Sequence, residues 1–401
     1  MKQLEQIDLS NQRVLLRADL NAPLKVDQNG QMQITDDGRL KASVETIELL
    51  IKKEAKIIIL AHLGRPKGER KPELSLKPIA NRLSQLVNKN IEFVEDINNP
   101  ELANKINSLK PGEILMLENI RFEKDETSKD QSERNRLAQK LAQFADFFVI
   151  DGFGVVHREQ ASVTDIARLL PSAPGKLVEA EQKAFDKVLK NPQRPYVVVL
   201  GGSKVSDKLG VINNLLNKVD LLLIGGGMAF TFLKAKGFEV GQSLLEIDRI
   251  DEVNQLMKFA QDKNVEIVLP QDVVISKELD GSTEVKIVEV SNIPSDQKGL
   301  DIGPKTIELF SSKLNQAKTV VWNGPMGVFE VKEFSNGTKQ IAQKISELSA
   351  YTVVGGGDSA AAIRLLGLDE SKFDHISTGG GASLELLEGK ELPGLKVLEE
   401  V

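Results

Sequence analysis

Four apolar runs early in the chain each lead into residues able to grip an anion. R-A-D-L-N-A-P carries Asp19 and Asn21, and A-H-L-G-R-P carries His62 and Arg65. E-N-I-R-F carries Arg121, and D-G-F-G-V-V-H-R carries Arg158. Arg39, in D-D-G-R-L on an expected loop, is placed to join them. Lysine outnumbers arginine 38 to 14, yet these positions take arginine, whose planar fork suits a bidentate grip on phosphate or carboxylate. Taken singly, each arginine reads as a solvated charge or half of an ion pair. Repeated at successive run ends, they read as a site for a small polyanion. His62 alone is more simply a packed residue than a ligand, and three histidines argue against a histidine metal site.

A second set of residues suits a nucleotide. Y-V-V-V-L-G-G-S-K-V-S-D-K, from Tyr196 to Lys208, runs from a strand pattern through two glycines into a helical pattern. Ser203 is expected to cap that helix, whose apolar face is Leu209, Ile212 and Leu216. Lys204 and Lys208, four apart, then share a face of its first turn. Free N–H groups, a helix dipole and two lysines point to a polyphosphate. Further runs end in glycines: G-G-G-M-A-F, W-N-G-P-M-G, G-G-G-D-S and S-T-G-G-G-A-S. Any one such turn is explained by tight packing, whereas several in one half of the chain fit a nucleotide crevice. Asp358 has two readings, a helix cap or a ligand that shares Mg²⁺ with phosphates. Neither G-x-x-x-x-G-K-[ST] nor G-x-G-x-x-G occurs, which excludes a P-loop enzyme and weakens a dinucleotide reading.

These residues need a scaffold that gathers sequence-distant segments. Val14–Leu16, Lys56–Leu60, Ile114–Leu117 and Phe147–Ile150 read as buried strands. Helical patterns at Val44/Ile47/Ile51, Leu76/Ile79/Leu83/Leu86 and Leu137/Leu141/Phe144 separate them. Strand–helix alternation implies an α/β fold with parallel sheets covered by helices, whose strand carboxyl ends share one ligand-binding edge. With 401 residues, two domains are expected. P-S-A-P from Pro171 to Pro174 breaks the pattern, and a helix from about Leu177 to Leu189 follows. That helix reads as a hinge connector or as an ordinary crossover. The net charge of −6 argues against a nucleic-acid or membrane-surface binder, so any basic site is local. The chain has no cysteine, and its start lacks the apolar segment of a secretory signal, so a cytoplasmic protein is expected; a monomer is expected as well, though no residue pattern carries that expectation.

From Arg13 to Gly394 the ordered motifs resemble the phosphoglycerate kinase family. They include R-A-D-L-N-A-P, A-H-L-G-R-P, G-G-S-K-V-S-D-K, V-W-N-G-P-M-G-V-F-E and H-I-S-T-G-G-G-A-S-L. The resemblance implies two Rossmann-like lobes and the reversible, Mg²⁺-dependent transfer of the acyl phosphate of 1,3-bisphosphoglycerate to ADP. It implies a 3-phosphoglycerate lobe over 1–172, a connecting hinge helix over 173–192 and a nucleotide lobe over 193–389. A tail over 390–401 would return to the first lobe. Substrate positions carried over are Asp19, Leu20, Asn21, Arg39, His62, Leu63, Gly64, Arg65, Arg121 and Arg158. Nucleotide positions are Lys204, Lys208, Gly303, Glu330 on the ribose, and Gly356, Gly357, Asp358 and Ser359, with Asp358 toward Mg²⁺. Arg39 and Lys204 are the expected catalytic pair. Three positions depart from the family pattern: Leu20 where Phe is common, Gly152 where Ala is common, and Gln160 in place of a second histidine.

No general base stands out, and the chemistry needs none. The nucleophile in the direction of ATP consumption is a carboxylate, with a free pKa of about 3.5, already ionised at neutral pH. Rival readings are another two-lobed kinase or acyl-phosphate-forming ligase, a non-catalytic anion-binding module and an NAD oxidoreductase.

Overall fold

The computed structural model describes residues 3–26 and 32–400. The chain divides into two compact units, Met1–Gln182 with Glu391–Val401, and Lys183–Lys390.

In the first unit, strands β1 (Arg13–Ala18), β2 (Lys56–Leu60), β3 (Ile91–Val94), β4 (Ile114–Leu117), β5 (Phe147–Asp151) and β6 (Ser172–Pro174) form one parallel sheet. Its order is β3-β4-β2-β1-β5-β6. Runs such as K-I-I-I-L are apolar throughout because a parallel sheet is covered on both faces. Alternate residues Val14, Leu16, Ile57 and Ile59 share a core with Leu40, Ile47 and Leu50 of helix α1 (Gly38–Lys52) and with Ile79 and Leu83 of α2 (Lys77–Val87). Helix α2 stops where Asn88 takes left-handed backbone angles, φ 49°. The segment Pro171–Pro174, expected as a break, includes edge strand β6, where a proline costs no ladder bond. Arg39, expected on a loop, lies in the first turn of α1.

Asp151 ends β5, and Oδ1 accepts a hydrogen bond from Leu177 N at the start of helix α3 (Lys176–Leu189). Thr46 Oγ1, from α1, accepts from Lys176 N at 2.9 Å. Burial pushes the Asp151 carboxyl up to about 7, and Oδ2 has no partner. The C-terminal helix Pro393–Glu400 belongs to this unit, where Gly394 N donates to Val156 O at 2.7 Å.

The second unit has a parallel sheet of β7 (Tyr196–Leu200), β8 (Leu221–Ile224), β9 (Glu266–Val268), and three strands later in the chain. A separate antiparallel sheet is made by β10 (Asp272–Ser276), β11 (Lys286–Glu289) and β12 (Lys298–Ile302), in the order β11-β10-β12. The parallel sheet is completed by β13 (Thr319–Asn323), β14 (Tyr351–Gly355) and β15 (His375–Ile376), in the order β9-β8-β7-β13-β14-β15. In the antiparallel sheet β10 and β12 are mostly buried and only edge strand β11 is exposed, so the sheet shows no clear alternation in sequence. Val197, Val199, Val320 and the single tryptophan, Trp322, form the core with Phe310, Leu314 and Ile341. Among the described residues no helix is long and apolar enough to cross a membrane.

Candidate active site

In the first unit, parallel register brings the ends of β1, β2 and β5 level, with Ala18 opposite Asp151 and Arg17 opposite Leu60. The residues that follow these ends meet there. His62 is 3% exposed, and four guanidinium groups, from Arg17, Arg39, Arg121 and Arg158, act on it. Burial first, and then these positive charges, hold its imidazole well below the usual histidine range, so it is neutral. Arg39 pairs with the buried carboxylate of Asp19. Asn21 Oδ1 accepts from Gly64 N at 2.9 Å, and Asn119 Oδ1 accepts from Leu63 N at 3.2 Å and Arg121 N at 3.1 Å. Arg121 Nη1 donates to Gly64 O at 2.7 Å, while its buried Nε has no partner. Burial lowers the Arg121 pKa to about 10, with Arg158 and Arg17 adding to the effect. Two carboxylates, Asp19 and Glu126, face these four guanidiniums. The remaining excess positive charge, partly removed from water, favours an anion.

Not every expected residue joins this cluster. Leu20 and Leu63 bury their side chains in the core. Arg65 is exposed and makes no hydrogen bond or ion pair among the described residues. Two residues of the cluster carry no loop or glycine signal in sequence. Arg17 lies inside β1, fully buried, and Glu126 sits in the charged stretch E-K-D-E-T. His157 adds a second neutral imidazole: burial, then Arg158, lower its pKa to about 4, and Arg158 Nε donates to its Nε2 at 3.1 Å. At Gly152 an added Cβ would stand 3.0 Å from Asp19 N and 3.1 Å from Val155 Cγ2. Alanine fits there only if these neighbours yield by a few tenths of an ångström. Gln160 is buried, its backbone carbonyl accepting from Val163 N and Thr164 N.

In the second unit, the glycines and lysines line two cavities. One, of about 540 Å³, is bounded by Lys204, Lys208, Asn323, Gly356, Asp358 and Ser359, among others. The other, of about 390 Å³, is more apolar and includes Phe230, Leu244, Val273, Met326 and Glu330, with Asp358 also on its wall. A polar compartment beside an apolar one suits a phosphate chain beside a base and sugar. Gly226 has φ +66°, and a Cβ there would come within 2.6 Å of Gly202 N, so the two glycine turns require each other. Ser359 is buried and its Oγ accepts from Gly324 N at 2.7 Å, fixing the turn after β13.

The start of the nearby helix differs from expectation. Helix α4 covers only Leu209–Leu215, and Ser203 makes no cap. Lys204 and Lys208 therefore both precede the helix and do not share one helical face. Lys204 is exposed, whereas Lys208 is buried and donates to Asn323 Oδ1. The buried apolar residues of α4 are Val211, Ile212 and Leu215, with Leu216 just beyond. Gly202, at φ +101°, turns the chain out of a helical path, Val205 is buried, and the helix begins only at Leu209. Asp358 is in the first turn of helix α6, introduced after α5 (Pro304–Leu314) and covering Gly357–Leu365. It makes no side-chain cap there, so its exposed carboxylate stays available to the cavity. Gly303 caps α5 and is absent from both cavity walls. A Cβ on it would collide with the Asp272 carboxylate, which explains the glycine by packing.

Among the described residues no cluster of three or more acidic or histidine side chains could cage a metal. One accessible carboxylate in a cavity suited to phosphates still fits Mg²⁺, which keeps waters and shares its ligands with a nucleotide.

The family model described as phosphoglycerate kinase matches residues 4–390. A phosphoglycerate kinase of Bifidobacterium longum is 54% identical over all of both chains. One from Thermosipho africanus is 50% identical over 98% of this chain and 96% of its own. Among solved structures, the phosphoglycerate kinase of Coxiella burnetii has a TM-score of 0.87 at 40% identity, covering 99% of this chain and 98% of that one. That of Pyrococcus horikoshii has a TM-score of 0.87 at 34% identity, covering 100% and 98%. The chain belongs to the phosphoglycerate kinase family, the enzymes that move the acyl phosphate of 1,3-bisphosphoglycerate onto ADP.

Proposed function

We propose that the arginine cluster of the first unit holds 3-phosphoglycerate or 1,3-bisphosphoglycerate, and that the paired cavities of the second unit hold ADP or ATP. The observation that carries the first part is four guanidiniums converging on a neutral, nearly buried His62. Asn21, Gly64 and Arg121 would orient the acid, and Arg65 and Arg158 would supply further charge at its rim. Lys204, Lys208, Ser359 and the Gly356–Gly357 turn would meet the phosphates, with Glu330 toward the ribose. Asp358 would hold Mg²⁺, which when bound neutralises phosphate charge and fixes its orientation.

In the direction of ATP consumption the carboxylate attacks already ionised, so catalysis reduces to in-line positioning and charge stabilisation. Arg39 and Lys204 are assigned to the charge on the moving phosphoryl group. Transfer in competition with water calls for exclusion of solvent, and bending about α3 is the proposed means. The protein is taken to act as a cytoplasmic monomer on small molecules, without nucleic acid or membrane.

A coupled assay with 3-phosphoglycerate and Mg-ATP tests the reading. Turnover that requires both substrates, and a panel of other carboxylic acids that gives none, is the expected result. Activity on another acid but not on 3-phosphoglycerate would sink it.

A further inference from the structure

Behind the arginine cluster lies a chain of buried side chains that the phosphoryl chemistry does not use. Glu126, fully buried, accepts from Ser162 twice: from the hydroxyl at 2.6 Å on Oε1 and from the backbone N at 3.0 Å on Oε2. Ser162 Oγ in turn accepts from Arg17 Nε at 2.8 Å. Arg17 Nη1 donates to Ala18 O at 2.6 Å, and Nη2 lies 3.2 Å from His62 Nδ1. Every member is buried, and the order of donors and acceptors is fixed from the arginine outward. A guanidinium has only donors, so His62 Nδ1 must accept. A neutral imidazole with an accepting Nδ1 carries its proton on Nε2. No group among the described residues bonds that Nε2.

We infer that Glu126 and Ser162 are positioning residues which, through Arg17, lock His62 as the neutral Nε2–H tautomer and so present a hydrogen-bond donor, not a cation, to the anion. Glu126, whose two carboxyl oxygens both accept from Ser162, holds that serine in place, and Ser162 sets the angle of the Arg17 fork. The role toward the anion rests on the proposed placement of 3-phosphoglycerate; the tautomer does not. A donor of this kind leaves the charge of the site unchanged across the neutral pH range, and the arginines alone supply the charge.

Long-range ¹H–¹⁵N spectra of histidine-labelled protein test this. The chain has three histidines, so loss of one set of signals in His62→Gln assigns the ring. The expected spectrum is a single Nε2–H tautomer, without titration between about pH 5 and 8. Glu126→Gln puts an amide donor against the serine, and Ser162→Ala removes the link. Both are expected to bring the two ring nitrogens toward a tautomer mixture. Both are also expected to raise KM for 3-phosphoglycerate about tenfold with KM for ATP within about twofold. Ser162→Thr, which keeps the hydroxyl, should restore the spectrum. An Nδ1–H tautomer or a charged ring in the unmodified protein overturns the inference, even if neither variant folds. So does an unchanged His62 spectrum in a variant that keeps its KM for ATP. A tautomer shift with unchanged KM for 3-phosphoglycerate overturns instead the placement of that substrate against His62.

Discussion

Arg39 and Lys204 show how differently two residues of one proposed task are prepared. Arg39 is half-buried and held by Asp19. Replacing it leaves the Asp19 carboxylate buried and unpaired as well as removing charge from the phosphoryl group. Arg39→Ala is therefore expected to lower kcat on the order of 10²- to 10³-fold while KM for ATP changes by less than about threefold. Steady-state kinetics decide it, and near-normal turnover would remove Arg39 from the chemistry. Lys204 is exposed and free to reach, so its loss should cost little stability. Lys204→Ala is expected to slow single-turnover phosphoryl transfer by a similar factor, with the thermal midpoint nearly unmoved. Rapid-quench measurement showing normal transfer would defeat that assignment. The sequence marks both residues by motif but not their states, because burial and pairing depend on Asp19 and on the turn before α4.

At the scale of elements, Asp151 ties the end of β5 to the first turn of α3, beside Thr46 of α1. Its carboxyl is raised by burial to about 7, against an ordinary value near 3.8, with Glu45 adding to the rise. A raised carboxyl favours the folded state while it is protonated. That stabilisation is complete below about pH 4 and is lost as pH rises through about 7. Asp151→Asn stays neutral throughout, so its urea midpoint, followed by far-ultraviolet circular dichroism, should depend less on pH between about 4 and 7. The difference is on the order of a few kcal/mol across that window. Equal slopes in the two proteins would show that Asp151 is ionised in the fold. The helix α3 itself was legible from its proline-rich flanks, whereas this anchor was not, since nothing near Asp151 in sequence marks Leu177, 26 residues on, as its partner. Strand β3 was likewise hidden, because I-E-F-V is too short and polar to stand out beside helix α2.

For the whole molecule, the division inside α3 gives each anion site its own sheet and core. Proposed bending about this helix predicts that small-angle X-ray scattering shows a smaller radius of gyration with 3-phosphoglycerate and a non-hydrolysable Mg-ATP analogue together than with either alone. Identical profiles in all states, under conditions where both ligands bind, would argue against closure. The antiparallel sheet β10–β12 belongs to the second unit only and forms part of the apolar cavity wall through Val273, Lys298 and Ile302. Its place beside the glycine turns could not be read along the chain.

By itself the sequence determined the alternation of strands and helices, the two kinds of strand end and the family, because local pattern and ordered motifs carry those directly. The tertiary structure alone decided which charges are buried and what they touch. Arg17 lies on β1, Glu126 follows β4 and Ser162 follows β5, and only the parallel pairing of these strands in one sheet with β2 links them into a chain that ends on His62. Lys208, expected on one helical face with Lys204, instead makes a buried bond with Asn323, because the packing of two glycine turns, not helix propensity, sets the path of the chain there. Gly303 proved to be shaped by Asp272, a neighbour 31 residues earlier in sequence. Burial and pairing are sums over such distant neighbours, which is why no stretch of residues records them.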